Sequence, residues 1–370
     1  LVFLHKIYPM NFPPLQSWIP GCHRPLVIAG PCSAESEAQV LQTAQALARQ
    51  PGVSVFRAGI WKPRTRPGLF EGIGTAGLVW MKRVKEETGL LTTVEVARPD
   101  HVKDALAHEI DILWIGARTV VNPFSMQELA ESLAGVDIPV MVKNPVNPDL
   151  KLWMGAIERL HKNGITRIAA IHRGFYQSEK TQYRNAPLWE IPIELMRQMP
   201  GLPMLCDPSH ISGNRSLIQQ VSQQAMDLEM DGLMIETHPD PDKAWTDPVQ
   251  QVTPESLGEI LNHLILREQK GNREFERNLE ELRHEVDLID YEMIRLLAKR
   301  MNIAEEMGRY KYAHNITILQ LQRWKELFAD RIKKGNKAGL DTRFLAALLQ
   351  LVHEQSIQIQ TNVMSRGDEQ

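Results

Sequence analysis

The last 116 residues of the chain contain no proline, although all 23 prolines of the sequence lie at or before Pro254. Proline in a helix interior removes a hydrogen bond and clashes with the preceding turn. Its absence therefore predicts long helices after Pro254 and a loop-rich region before it. Cysteine is also scarce: Cys22, Cys32 and Cys206 are the only three. They do not pair as a disulfide framework, which points to a reducing cytoplasm. The Asn-x-Ser/Thr matches at Asn214 and Asn315 then carry no meaning for glycosylation. No apolar run approaches the ~20 residues of a membrane span, which excludes an intramembrane role. An excess of charge is missing too. With 42 Lys+Arg against 45 Asp+Glu, the net charge of −3 gives no sign of a nucleic-acid surface. Hydrophobic content of 43% against 24% charged residues excludes a disordered chain. The opening LVFLHKIYPM is too short for a signal peptide and lacks a cleavage site, and Met10 is a plausible native start.

What is present up to about residue 265 is an alternation. Short apolar runs occur at 25–33, 53–61, 91–97, 112–118, 139–145, 167–174, 203–210 and 232–239. They are continuous rather than alternating, as strands buried on both faces are. Helix-like segments such as 35–50, 150–163 and 215–228 separate them. Eight βα units in ~250 residues predict an α/β fold of the (β/α)8 TIM-barrel kind. A doubly wound sheet fits the alternation as well, but does not predict that nearly every run ends in a polar or charged residue. The glycines Gly72, Gly74 and Gly77 spell G-x-G-x-x-G without a strand directly before them, so they are read as shaping a loop rather than a dinucleotide site.

After the barrel, Leu279, Leu282, Val286, Ile289, Met293, Leu296, Ile303 and Met307 recur at steps of three and four. This predicts one amphipathic helix over 279–311, ~50 Å long. Shorter helices are expected at 319–333 and 341–363, giving a separate all-α three-helix domain. The two shorter helices cannot cover so long a stripe, so a second copy of the chain is expected against it. The expected domains are an N-terminal extension (1–14), the barrel (15–266), a polar linker (267–273), the helical domain (274–365) and a tail (366–370).

Two sets of residues carry candidate chemistry in the barrel. Arg57, Lys62, Arg64, Arg118, Lys143 and Arg173 stand at strand ends, the end at which barrels of this kind do chemistry. Cations held so close need anions to offset them; two phosphates and a carboxylate would serve. Cys32, His210, Glu236 and Asp247 bring a thiolate, an imidazole and two carboxylates to the same end, a plausible divalent-metal site.

The motifs GPCS (30–33), FRAGIWKPRT (56–65), IGAR (115–118), VKN (142–144), HRG (172–174), DPSH (207–210) and ETHP (236–239), followed by Asp247, resemble the metal-dependent 3-deoxy-D-arabino-heptulosonate 7-phosphate (DAHP) synthases. The resemblance covers about 15–265 and implies a barrel with no regulatory domain before it. It implies a condensation of phosphoenolpyruvate with erythrose 4-phosphate. It further implies that Cys32, His210, Glu236 and Asp247 hold one divalent ion, Mn2+ first, with Co2+, Fe2+ or Zn2+ as alternatives. By the same resemblance Arg57 and Lys62 meet the phosphoenolpyruvate carboxylate. Arg118, Lys143 and Arg173 hold its phosphate, and Arg64 and Thr65 face the aldose phosphate. Lys62 is the expected proton donor, with a pKa lowered by neighbouring cations. The sister synthase that uses arabinose 5-phosphate carries a different motif, with Asn, where KPRT stands here.

In the helical region Arg300 and Lys311 sit on the inward stripe, and Ser356 and Gln360 share a face with Phe344, Leu348 and Val352. A salt-bridged core or a polar pocket both fit. The stretch resembles the all-helical chorismate mutases through Arg283, Arg300, Lys311, Arg323, Ser356 and Gln360. That implies a cofactor-free rearrangement of chorismate to prephenate in an intertwined homodimer, with Arg283 crossing into the partner's site. Lys311 and Gln360 would face the ether oxygen and act as the catalytic pair. Gln320 and Trp324 depart from the family, many of whose members have an Asp and a Glu there. Joining two such enzymes suggests prephenate as an effector of the barrel. The alternative is a helical domain that only binds a regulatory ligand and dimerises.

Overall fold

The computed structural model describes residues 10–62, 68, 70–179, 181–268 and 271–367. It divides into two compact units, Leu1–Arg267 and Glu268–Gln370.

In the first unit eight strands, β1 (Leu26–Gly30), β2 (Val53–Ala58), β3 (Leu91–Val96), β4 (Ile112–Ile115), β5 (Val140–Lys143), β6 (Ile168–His172), β7 (Met204–Cys206) and β8 (Gly232–Glu236), pair in chain order and all in parallel. The pairing of β1 with β8 closes the barrel. The expected doubly wound alternative is thereby excluded. Each apolar run is indeed a strand, and the polar residues that end the runs lie at or just past the strand ends.

Strand alternation sorts the side chains into two cores. Val27, Phe56, Leu113, Val140 and Leu233 point outward into the layer beneath the helices. Their neighbours Leu26, Ile28, Val55, Ile112, Trp114, Met141, Ile171, Leu205 and Met234 fill the barrel interior. Leu15, Trp18 and Ile19 belong to this inner core and stopper its N-terminal end. The prolines have the positions that the sequence distribution suggests. Pro99, Pro123 and Pro254 stand in the first turn of their helices, where the missing N–H has no helical partner in any case. Asn122, Asp149 and Thr253 cap helices with side-chain oxygens. Of the three glycines of the G-x-G-x-x-G, Gly72 and Gly74 lie in the loop with positive φ, but Gly77 lies inside the helix Ala76–Thr88. A Cβ there would meet Ile73 and Ile60, so Gly77 is a packing glycine.

The second unit has helices Arg273–Ala313, Leu321–Lys337 and Thr342–Gly367. The first begins six residues before the expected start because Asn272 caps it, accepting from the Phe275 N–H. At 41 residues it is ~60 Å long. Ala304 and Gly308 are its buried residues, and a Cβ at Gly308 would come within 3.1 Å of the Gln360 Cα. These small residues admit the last helix at close range. Leu282, Val286, Ile289, Met293 and Leu296 are all exposed within the chain. Among the described residues, no helix is long and apolar enough to cross a membrane.

Candidate active sites

The inward phase of the strands continues past the apolar layers into charge. Two residues beyond Val55 stands Arg57. Glu95 follows Thr93, Lys143 follows Met141, Arg173 follows Ile171, Asp207 follows Leu205 and Glu236 follows Met234. Trp114 is the floor of this charged layer. The Arg57 guanidinium lies 4.9 Å and the Lys143 ammonium 5.9 Å from its ring centre. A cavity of about 320 Å³ opens above, lined among others by Lys62, Arg118, Lys143, Arg173, His210 and Asp247. Arg57 is buried and ion-paired with Glu236 at 3.2 Å, while its Nε and Nη1 have no partner among the described residues. Arg64 and Thr65 lie outside the described residues.

Two glycines make the layer possible. Gly30 has φ +147°, and a Cβ on it would sit 2.0 Å from the Arg57 carbonyl oxygen. A Cβ at Gly116 would fall 2.0 Å from the Glu95 carboxylate.

Ionised groups here are held by one another. Asp207 takes the Lys143 ammonium at 2.7 Å and His210 Nδ1 at 2.8 Å on the same oxygen. Burial opposes its charge, but His210 and Lys143 outweigh burial and keep it well below the usual carboxylate range. Burial pulls Lys143 down, and Arg173 down to about 10, against the attraction of Asp207. Asn144 accepts from the Arg173 N–H at 2.6 Å, and Asn185 accepts from its guanidinium at 2.9 Å.

The expected lowering of the Lys62 pKa does not occur. Burial does pull it down. The Cys32 sulfur, 3.0 Å from Nζ, and Glu236 pull it up further, and the net shift is upward. The neighbouring cations do not set this pKa, because Cys32 and Glu236 raise it by more than Arg57 and burial lower it.

Donor atoms of Cys32, Glu236 and Asp247 lie within 4.8 Å of one another. The His210 Nε2 is 3.8 Å from Glu236 Oε1. With Nδ1 turned to Asp207, Nε2 is the nitrogen left for a ligand bond, an arrangement typical of metal-binding histidines. Glu236 Oε1 is buried and without a hydrogen bond. A buried carboxylate oxygen with the Arg57 ion pair but no hydrogen bond among the described residues, beside a thiol, an imidazole nitrogen and a second carboxylate, fits a divalent cation. Glu95, Asp207, Tyr176, Arg184 and Asn185 were not singled out from the sequence. Glu95 and Asp207 share the inward phase with Arg57 and Lys143, a signal that was there to be read. Arg184 and Asn185 lie in a long loop with no such phase.

In the helical unit a cavity of about 260 Å³ is lined by Arg300, Lys311, Arg323, Ser356 and Gln360, together with Gln320, Trp324, Arg331 and His353. Arg300 donates to Ser356 Oγ and to the Val352 carbonyl, and Lys311 to the Ile318 carbonyl. Neither has an ion pair among the described residues, so the polar-pocket reading holds and the salt-bridged core does not. Buried Gln360 donates to the Ser356 carbonyl, and its Oε1 has no partner. Trp324 stacks on His353 at 3.6 Å. Arg283 is not part of this cavity; it is exposed and paired with Glu280 at 3.5 Å.

The match that decides the family covers residues 16–270, described as the DAHP synthetase I family. The chain belongs to that family. A second match, chorismate mutase type II, covers residues 282–361. The chain is thus an enzyme with a DAHP synthetase barrel followed by a chorismate mutase domain. Among curated relatives, a phospho-2-dehydro-3-deoxyheptonate aldolase of Thermotoga maritima is 31% identical over 238 residues, 64% of this chain and 68% of the relative. A 2-dehydro-3-deoxyphosphooctonate aldolase of Desulfatibacillum aliphaticivorans is 31% identical over 263 residues, 65% of this chain and 90% of the relative. The crystal structure of the Thermotoga maritima phospho-2-dehydro-3-deoxyheptonate aldolase (DAHP synthase) has a TM-score of 0.58 at 31% identity, covering 64% of this chain and 67% of that one.

Proposed function

We propose that the barrel condenses phosphoenolpyruvate with erythrose 4-phosphate to DAHP and phosphate, and that the helical domain converts chorismate to prephenate. The observation that carries the first half is the charged layer above Trp114, where four buried or half-buried cations adjoin a mixed-donor cluster. Cys32, His210, Glu236 and Asp247 would hold a divalent ion, and Mn2+ is the first choice. Such an ion supplies Lewis-acid polarisation of the aldehyde oxygen. Arg57 and Lys62 bind the carboxylate of phosphoenolpyruvate; Arg118, Lys143 and Arg173 bind its phosphate; Arg64 and Thr65 take the phosphate of the aldose. Two substrates that repel each other are thereby held at reacting distance, which is mainly positional and electrostatic work. The methylene carbon of phosphoenolpyruvate attacks the aldehyde, positive charge develops at the neighbouring carbon, water adds there and phosphate leaves. Lys62, whose ammonium lies 3.0 Å from the Cys32 sulfur at the edge of this cluster, would give a proton to the aldehyde oxygen as it becomes an alkoxide.

Relatives named as acting on either the heptonate or the octonate exist, so the aldose decides. An assay of phosphate release should show turnover with erythrose 4-phosphate and less than a hundredth of it with arabinose 5-phosphate. The reverse preference would assign the sister reaction.

For the helical domain the carrying observation is a half-buried cavity lined by four cations and no carboxylate. Arg300, Arg323 and the partner's copy of Arg283 hold the two carboxylates in the reactive diaxial conformer. Lys311 and Gln360 bond the ether oxygen, where negative charge grows in the transition state. The exposed stripe of the long helix supports a homodimer as the functional state. Chorismate depletion should fall at least ~100-fold in Lys311→Ala, the scale of losing one such donor. Equal depletion by both proteins would leave the domain a regulatory and dimerisation module. Prephenate held in this cavity is the proposed feedback inhibitor of the barrel.

A further inference from the structure

Resting on the metal reading above, we propose that Arg184 and Gln250 form a relay that fixes both carboxylate ligands of the barrel's cation site, with Gln250 as the positioning residue. In each of these carboxylates one oxygen is held by the Arg184–Gln250 pair and the other turns inward, where Arg57 ion-pairs Glu236 Oε1 at 3.2 Å and Asp247 Oδ2 accepts from the Cys32 thiol. Gln250 Nε2 donates to Glu236 Oε2 at 2.7 Å. Arg184 donates to Asp247 Oδ1 at 3.0 Å and to Gln250 Oε1 at 2.6 Å. The remaining oxygens are the ones that turn to the donor cluster. Glu236 Oε1 faces His210 Nε2, and Asp247 Oδ2 lies 3.4 Å from Cys32 Sγ.

The amide orientation of Gln250 is determined by chemistry. A guanidinium only donates, so the atom it meets is the amide oxygen. The Glu236 carboxylate only accepts, so the atom it meets is the NH2. The side chain is 1% exposed and has no room to exchange these ends with water. Asp247 itself sits at φ +48°, a left-handed conformation that Asp tolerates but does not favour. The Arg184 contact is what keeps its carboxylate turned inward from that backbone. The neighbouring Gln251 ties the same loop to the Cys32 loop. It accepts from the Cys32 N–H at 3.0 Å and donates to the Thr246 carbonyl at 2.8 Å. Partners of this kind orient metal ligands, and their loss typically costs about 10–100-fold in metal affinity.

Gln250→Glu separates this idea from simple electrostatics, because it adds a negative charge near a site for a dication. If charge alone governed the site, Mn2+ would bind more tightly. If the relay governs it, the new carboxylate faces Glu236 acceptor to acceptor and displaces it. Mn2+ affinity of the full-length protein is measured by electron paramagnetic resonance of free Mn2+, with the melting temperature of each metal-free variant recorded beside it. Gln250→Glu and Gln250→Leu are each expected to weaken Mn2+ binding about 10–100-fold. Arg184→Met should do likewise, and Arg184→Met combined with Gln250→Leu should lose no more than the larger single loss. Affinities within twofold of wild type in either Gln250 variant, or tighter binding by Gln250→Glu, would overturn the relay. If Gln250→Glu does not fold, the Gln250→Leu and Arg184→Met affinities decide. Failure of the wild-type protein to bind Mn2+ or another divalent ion would instead remove the metal reading itself.

Discussion

Lys62 illustrates how far a single residue can be read from sequence. Its place beside a cation cluster was legible from the strand end that carries it. Its nearest neighbours were not, because Cys32 follows the first strand and Glu236 ends the last, and they meet it only through barrel closure. A charged Lys62 can still serve as proton donor. Lys62→Met is expected to lower DAHP formation at least ~100-fold, the low end for general acid catalysis. Mn2+ binding should persist in that variant, and near-normal turnover would remove Lys62 from the mechanism. His172 offers a test of the core instead. It points outward from β6, fully buried, with the rings of Trp189 and Phe175 5.0 and 5.6 Å away. Burial lowers its pKa to about 3. The folded value lies below the unfolded one of about 6.5, so His172 costs nothing above pH 6.5. Below that, the unfolded chain takes a proton that the folded barrel refuses, and stability falls at ~1.4 kcal/mol per pH unit until pH 3. Replacing it by Phe should make the barrel's urea transition less acid-sensitive between pH 6.5 and 5, by about 2 kcal/mol. Parallel slopes for the two proteins would contradict this.

Among the elements, the strands were the most legible part of the chain and the helix ends the least. A parallel strand buried on both faces is mostly apolar, and the eight runs fit that, apart from Ser54 and Arg57 in β2, Thr92, Thr93 and Glu95 in β3 and the polar residues that end the others. The long helix starts six residues before its apolar stripe, because the residues between Asn272 and Leu279 carry no apolar periodicity. The cap at Asn272 sets the boundary instead, and a capping side chain among many polar residues leaves little pattern. The same helix carries a prediction of its own. Ile289 and Met293 are exposed one turn apart on the stripe that the proposed partner covers. Ile289→Arg should yield a monomer by analytical ultracentrifugation and at least tenfold slower chorismate depletion, while DAHP formation persists. A dimer of unchanged stability would place the interface elsewhere.

Across the whole molecule the near-neutral charge conceals two local concentrations of cations, one above Trp114 and one around Arg300 and Lys311. Both were visible in outline because strand ends and an inward helix stripe are periodic features. The residues that complete them were less visible. Arg184, Gln250 and Gln251 lie in loops, where spacing in sequence says nothing about spacing in space. The proposed feedback between the two sites makes a further prediction. Allostery needs a ligand that favours one of two global states, and prephenate should therefore inhibit DAHP formation by the full-length chain. Loss of that inhibition is expected in Arg300→Ala, whose substitution lies in the helical cavity. Insensitivity of the wild-type synthase to saturating prephenate would remove the feedback.

One chain is proposed to perform a metal-assisted condensation and a metal-free rearrangement in separate cationic sites. Both reactions can be followed on the same preparation before and after removal of divalent ions by a chelator. DAHP formation should vanish and return when Mn2+ is restored, while the conversion of chorismate to prephenate should continue at an unchanged rate throughout. Loss of both activities together, or DAHP formation indifferent to the chelator, would contradict it.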